Sequence, residues 1–178
     1  MLEKITFAGF GGQGVLLMGQ LLAYAAMIED AQVSWLPSYG PEMRGGTANC
    51  SVTISDKPVA SPIIDHPNSV VAMNRPSLDK FEDKLAAGGR LLINSSIIDR
   101  KALRQDVQVY YVPCNEIALE LGEARVSNIV MLGAFLQISQ CVSTASLIES
   151  LAHKLGKKKA HLIPINEQAL ARGAAAVR

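Results

Sequence analysis

The sequence is short of charge, of cysteine and of long uninterrupted apolar runs, and each shortage removes a class of protein. Only 19% of its 178 residues are charged, against about 25% in an average soluble domain. The 17 Lys and Arg nearly cancel the 16 Asp and Glu, so the basic excess that drives nucleic-acid binding through counterion release is missing. Three cysteines, Cys50, Cys114 and Cys141, stand far apart with no C-x-x-C pair. This excludes a disulfide-framed secreted domain and a local thiolate cage for zinc or iron–sulfur. The longest apolar stretches are interrupted by Gln20 or Asn128 and fall short of the roughly 20 residues that cross a bilayer. Met1 to Phe7 mixes acid and base and lacks the layout of a signal peptide. These absences predict a soluble, cytoplasmic chain with no membrane or nucleic-acid partner. A lone globule with so few charges would hold much apolar surface in water, so part of the surface is expected to lie under another chain.

What is present reads as one domain, residues 1–178, of layered α/β type. Lys4 to Phe10 is a short β-run that ends in Gly9, Gly11, Gly12 and Gly14. Val15 to Ile28 follows, with one apolar stripe through Leu17, Leu21, Tyr24 and Ile28 and a second through Val15, Met18, Leu22 and Ala25. That is the pattern of a helix buried on two sides. Strands are expected at Gln32–Leu36, Thr47–Ser55, Ser69–Met73, Arg90–Asn94 and Val107–Val112. Cys50, Val52 and Ile54 should share one face. Ser61 to Pro67 should be irregular because of its prolines. Helices are expected at Ser77–Ala87, Glu116–Leu121, Asn128–Cys141, Thr144–Lys154 and Asn166–Ala176. The alternation predicts a three-layer α/β/α domain with a mostly parallel sheet and a Rossmann-like first strand-loop-helix.

Two loops carry chemistry. Gly9, Gly11 and Gly14 satisfy G-x-G-x-x-G between a strand and a helix, where glycines let backbone N–H groups approach an anion at the helix N-terminus. A dinucleotide site would also need an acidic residue about 20 positions on, at the end of the second strand. That strand ends Trp35-Leu36-Pro37-Ser38, and Gly14 is followed by Val15, not by the Lys-Ser/Thr of a phosphate-binding P-loop. A private NAD or ATP site is therefore disfavoured. What remains is a tight packing turn, or a loop that touches a phosphate-bearing cofactor or a partner's active site. The second loop, Ser38-Tyr39-Gly40-Pro41-Glu42-Met43-Arg44-Gly45-Gly46, sits at the carboxyl end of the second strand, the ligand-binding edge of α/β sheets. Arg44 suits a carboxylate or phosphate, with Glu42 to orient it. The plain alternative is a solvated turn with an exposed Glu–Arg pair, but Tyr, Met and Arg together are interface residues.

Gly9-Phe10-Gly11-Gly12-Gln13-Gly14 together with Ser38 to Gly46 resembles the gamma subunit of 2-oxoacid:ferredoxin oxidoreductases. The likeness continues through Val71-Ala72-Met73-Asn74-Arg75-Pro76-Ser77, Asn128-Ile129-Val130-Met131-Leu132-Gly133-Ala134 and Asn166-Glu167-Gln168-Ala169-Leu170, and so covers nearly the whole chain. Gly-Pro-Glu-Met-Arg-Gly-Gly is closer to the 2-oxoglutarate and branched-chain types than to those specific for pyruvate. The resemblance implies a complex in which thiamine diphosphate and Mg²⁺ lie between alpha and beta subunits. Electrons pass through the iron–sulfur clusters of a ferredoxin-like delta subunit to ferredoxin, and coenzyme A takes the acyl group. This chain lacks a thiamine-binding Gly-Asp-Gly signature and cysteine runs, so it is expected to hold no cofactor alone and to contribute no catalytic residue. Its expected role is to pack Gly11, Gly12, Gln13 and Arg44 against partner subunits or coenzyme A; isolated, it is expected to self-associate.

Other features have plainer readings. Ser127 or Asn128 reads as a helix N-cap or an interface residue. Asn74-Arg75-Pro76-Ser77 reads equally as a helix start or as a site at the ligand edge. His66, His153 and His161 lack partners at ligand spacing, Cys114 reads as a buried small hydrophobe, and Lys157-Lys158-Lys159 as a solvated cap beyond a helix end.

Overall fold

The computed structural model describes residues 1–38 and 47–177. The run of β-branched and aromatic residues in β1 (Leu2–Phe10) puts that strand inside the sheet, where Ile5, Phe7 and Ala8 are fully buried. Around it lie β2 (Gln32–Ser38), β3 (Thr47–Ser55), β4 (Ser69–Ala72), β5 (Arg90–Asn94) and β6 (Gln108–Val112), in the spatial order β2-β3-β1-β4-β5-β6. The pairs β1–β4, β4–β5 and β5–β6 are parallel, whereas β3 is antiparallel to both β1 and β2. The sheet is thus mixed: the expected parallel arrangement holds from β1 to β6, and a β2–β3 hairpin adds an antiparallel flank. Strand β2 runs in the direction of β1 but one place removed, because β3 is inserted between them. The Rossmann-like unit stops there, and the adjacent parallel strand that would carry a ribose-binding carboxylate does not exist.

Helices α1 (Val15–Ile28), α3 (Cys114–Glu120), α4 (Ser127–Ser139), α5 (Thr144–Leu155) and α6 (Ile163–Ala175) contribute to one core. Into it point Ile5 and Phe7 of β1, Cys50, Val52 and Ile54 of β3, and Leu92 of β5. The two-sided burial expected of α1 holds for Val15, Met18, Leu21, Leu22 and Ala25; Tyr24 stays at the surface, 37% exposed, stacked on His153 at 4.7 Å. Phe7 meets Phe135 of α4 edge-on, with centroids 5.7 Å apart, a geometry that adds about 1 kcal/mol to burial. Ser150 of α5 donates to the Leu21 carbonyl at 2.9 Å and fixes α5 against α1.

The opposite face carries a smaller core of Ala8, Val70, Ala72, Leu91 and Ile93 under α2 (Arg75–Phe81) and the segment that follows β5. The helix expected over Ser77–Ala87 starts earlier and stops at Phe81, where a 3-10 turn, Glu82–Lys84, takes over. Glu82 explains the change. Its buried carboxylate accepts from Leu103 N at 2.5 Å, Arg104 N at 3.1 Å and Arg100 Nη2 at 2.8 Å, and so pins the β5–β6 connection beneath the sheet. Burial alone would raise this carboxyl, but those donors outweigh it and hold it below the ordinary glutamate value.

Candidate functional site

The register of β1 with β3 sets Phe10 opposite Thr47, and β2 ends at Ser38 opposite Asn49. The glycine loop after β1 and the two ends of the β2–β3 connection therefore share one edge of the sheet. Tyr39, Gly40, Pro41, Glu42, Met43, Arg44, Gly45 and Gly46 lie outside the described residues. Of that loop only Ser38, exposed at the end of β2, has a described place.

The glycine loop is held by a carboxamide. Gln13 Oε1 accepts from Phe10 N at 2.6 Å and from Asn74 Nδ2 at 3.3 Å, while Gln13 Nε2 donates to the Met73 carbonyl at 3.1 Å. One side chain thus closes the Phe10–Gln13 turn and clips it to the β4–α2 junction. A Cβ on Gly9 would come within 2.7 Å of Gln13 Oε1, so the clip requires glycine there. Gly14 is the N-cap of α1, with φ +73°, and a Cβ on it would run into the Asn128 carboxamide. Both constraints are met by glycine alone. Gly12 (φ +94°) is exposed and Gly11 half-buried, which leaves the outer loop backbone open at the start of α1.

Asn128 is not an N-cap. The α4 helix is entered through a 3-10 turn, Ala124–Val126, in which Glu123 accepts from Arg125 N at 3.2 Å and Val126 donates to the Glu123 carbonyl. The helix start is already provided for, and Asn128 is free to reach the Gly14 carbonyl, 3.4 Å away. Asn74 does cap its helix: Oδ1 accepts from Ser77 N at 2.9 Å, so the helix-start reading holds, and the same buried residue also reaches the glycine loop. Arg75 is exposed and faces Asp99 at 3.3 Å and Asp79 at 3.9 Å. Two further amides belong to this group and were not singled out in the sequence: fully buried Asn94 donates to Asn115 Oδ1 at 2.9 Å and approaches the Met73 carbonyl at 3.5 Å. Their only signal was a polar residue ending a predicted strand, as Asn94 does.

Outside this belt a cleft of about 520 Å³ runs past Gly12, Gly14, Leu17, Asn115, Asn128 and Asn166. Its described lining contains two ionisable groups, Glu123 and Arg125, paired at 2.8 Å, and the guanidinium holds the Glu123 carboxyl at about 2. Neither changes protonation near neutrality. The described residues at this edge can therefore donate hydrogen bonds and shape a ligand or partner, but they supply no general acid or base. The cysteines stand apart from it: burial pushes the Cys50 thiol up to about 12 and the Cys141 thiol to about 11, and raises Cys114 as well. Among the described residues no three His, Cys, Asp or Glu side chains converge on a metal-sized space.

Residues 4–176 match the profile of the pyruvate ferredoxin/flavodoxin oxidoreductase family. The chain is 47% identical over 135 residues to ketoisovalerate oxidoreductase subunit VorA of Methanothermobacter thermautotrophicus, covering 76% of this chain and 28% of that protein. It is 34% identical over 160 residues to 2-oxoglutarate synthase subunit KorC of Methanocaldococcus jannaschii, covering 88% and 86%. Two solved structures superpose closely. One is the gamma subunit of a keto/oxoacid ferredoxin oxidoreductase from Geobacter sulfurreducens (TM-score 0.84, 29% identity, 98% of each chain). The other is 2-oxoglutarate:ferredoxin oxidoreductase from Magnetococcus marinus with 2-oxoglutarate, coenzyme A and succinyl-CoA bound (TM-score 0.90, 26% identity, 99% of this chain and 31% of that one). The chain thus spans less than a third of the ketoisovalerate relative and of the Magnetococcus chain. With a match running almost end to end and a sheet that superposes on both structures, the chain belongs to the pyruvate ferredoxin/flavodoxin oxidoreductase family.

Proposed function

We propose that residues 1–178 form the single-domain gamma subunit of a thiamine-diphosphate-dependent 2-oxoacid:ferredoxin oxidoreductase of the 2-oxoglutarate or branched-chain type. In this reading the complex converts a 2-oxoacid and coenzyme A into acyl-CoA and CO₂ and delivers two electrons to ferredoxin. Alpha and beta subunits hold thiamine diphosphate and Mg²⁺, and a ferredoxin-like delta subunit carries the iron–sulfur clusters. The relatives named for ketoisovalerate and 2-oxoglutarate support the substrate type. No described helix is long and apolar enough to cross a membrane, which accords with a cytoplasmic complex.

The observation that carries the reading is the glycine loop fixed by Gln13, Asn74 and Asn128 beside the ends of the β2–β3 connection, at an edge whose described cleft lining offers no proton-transfer group. Such an edge suits recognition. The N–H groups of Gly11 and Gly12 contact phosphate or partner backbone, and Arg44 contacts an anionic group of coenzyme A or an opposing carboxylate. The alternative of a stand-alone nucleotide-binding oxidoreductase is disfavoured by the antiparallel strand beside β1, where a dinucleotide fold places a parallel one.

The test is the reconstituted complex carrying Arg44→Ala. A KM for coenzyme A raised about tenfold with kcat little changed supports a binding contact. An unchanged KM with intact assembly removes Arg44, and saturable micromolar binding of NAD or ATP by the isolated chain overturns the proposal.

A further inference from the structure

The β2–β3 hairpin presents one face to the core; on the other, Thr53 and Ser55 are buried beside residues 56–63, Ser34, Asn49 and Ser51 are half-buried, and Leu36 and Ser38 are exposed. Val33 and Trp35 of β2 and Ala48, Cys50, Val52 and Ile54 of β3 point toward α1 and the larger core. Alternation turns Ser34, Leu36 and Ser38 of β2 and Asn49, Ser51 and Thr53 of β3 the other way, aligned in the pairs Ser34–Thr53, Leu36–Ser51 and Ser38–Asn49. The smaller core takes residues from β1, β4, β5 and β6 but none from β2 or β3. Among the described residues, the smaller core does not extend over Leu36, Ser38, Asn49 and Ser51.

Exposure to water alone accounts for polar residues here, but not for the charge. Strands β2 and β3 together contain no Lys, Arg, Asp or Glu, and β2 is the outermost strand of the sheet. Solvent-facing edge strands are ordinarily protected from stray pairing by charged side chains or proline, and of these β2 has only Pro37. Leu36 is moreover 41% exposed on this face, and Phe10, at the adjoining end of β1, is 36% exposed. A flat, hydroxyl-bearing, charge-free patch suits permanent cover by a surface that is itself uncharged, since a buried charge on the partner would find no counter-charge here.

The occupant follows from chain lengths. In the Magnetococcus structure this domain keeps its shape as 31% of a longer chain, and the ketoisovalerate relative has the same proportion, 28%. In both proteins the rest of the chain is a segment more than twice as long as the part that matches this domain. We propose that the uncharged face of the β2–β3 hairpin is the docking surface for the subunit equivalent to that segment, which binds through an uncharged surface of its own. The inference rests on the proposed function for the existence of that subunit.

The experiment is co-production of the tagged full-length chain with the other subunits of the complex, as wild type and as the Ser34→Lys/Leu36→Lys double variant, followed by co-purification. The expected result is at least a tenfold loss of captured subunit from a variant whose circular dichroism matches that of the wild type. Independently of any variant, amide hydrogen exchange of residues 34–38 should slow at least tenfold in the wild-type complex relative to the free chain. Equal capture by both forms, or unchanged exchange, overturns the docking assignment and leaves the proposed function standing. A wild-type chain that captures no subunit overturns both. An isolated chain that dimerises through this face, with the variant monomeric but still assembling, makes the face a contact between copies and overturns the proposal.

Discussion

The two flanks of the sheet solve the same problem differently. From β1 to β6 the strands are parallel and apolar on both faces: Val71 and Leu92 point into one core, Val70, Ala72, Leu91 and Ile93 into the other. Crossover connections bring helices to both sides, so both sides must be greasy. Strands β2 and β3 are joined as a hairpin with no helix between them, and α1 covers one face of the pair. Their sequence alternates accordingly. The difference shows that connectivity decides how many faces of a strand become core.

Removing a side chain from the doubly covered flank should be the costliest change. Ile93→Ala leaves a cavity under α2 and is expected to destabilise the chain by about 3 kcal/mol, read from the urea midpoint at unchanged slope; a loss below 1 kcal/mol would mean that the smaller core is not close-packed. Next is Glu82→Gln, expected to cost about 2 kcal/mol at pH 7, since a charge-assisted acceptor for three donors becomes a neutral amide. Because the folded carboxyl lies below its ordinary value of 4.5, its contribution is complete above that value and fades as pH falls through the lowered one. The variant should lose that part of the acid dependence, and the two stability curves should converge only once the pH is below the lowered folded value. Gln13→Ala breaks the clip on the glycine loop for about 1 kcal/mol. Its sharper signature is faster hydrogen exchange at the Phe10 amide, and unchanged exchange there would dismiss the clip. Smallest of all, Ser34→Lys on the uncovered flank should alter the stability of the free chain by no more than about 0.5 kcal/mol. A loss as large as that of Ile93→Ala would show the flank to be packed already and erase the contrast.

Local patterns were legible and long-range ones were not. The periodicity of Val15–Ile28, the alternation of Thr47–Ser55 and the short apolar run Arg90–Asn94 after Gly88-Gly89 give those elements their observed limits, because each signal is internal to the segment. The insertion of β3 between β1 and β2 follows no such rule, and it converts an expected parallel neighbour of β1 into an antiparallel one. At the site, Gly9, Gly14 and Asn74 stood out through turn chemistry and helix entry. Asn94 and Asn115 did not, since their roles come from contacts at sequence separations that no local pattern encodes. Of the two readings of Asn128, cap or interface residue, the cap fails because the turn ahead of it already meets the need.

The belt that shapes the glycine loop consists of carboxamides and main-chain groups: Gln13, Asn74, Asn94, Asn115, Asn128 and the carbonyls of Met73 and Gly14. Amides neither take up nor release protons anywhere in the physiological range. A loop braced by histidine or carboxylate would loosen as those groups changed protonation. This one keeps its contour whatever the local acidity, like a mould cast from a material that the reaction cannot etch.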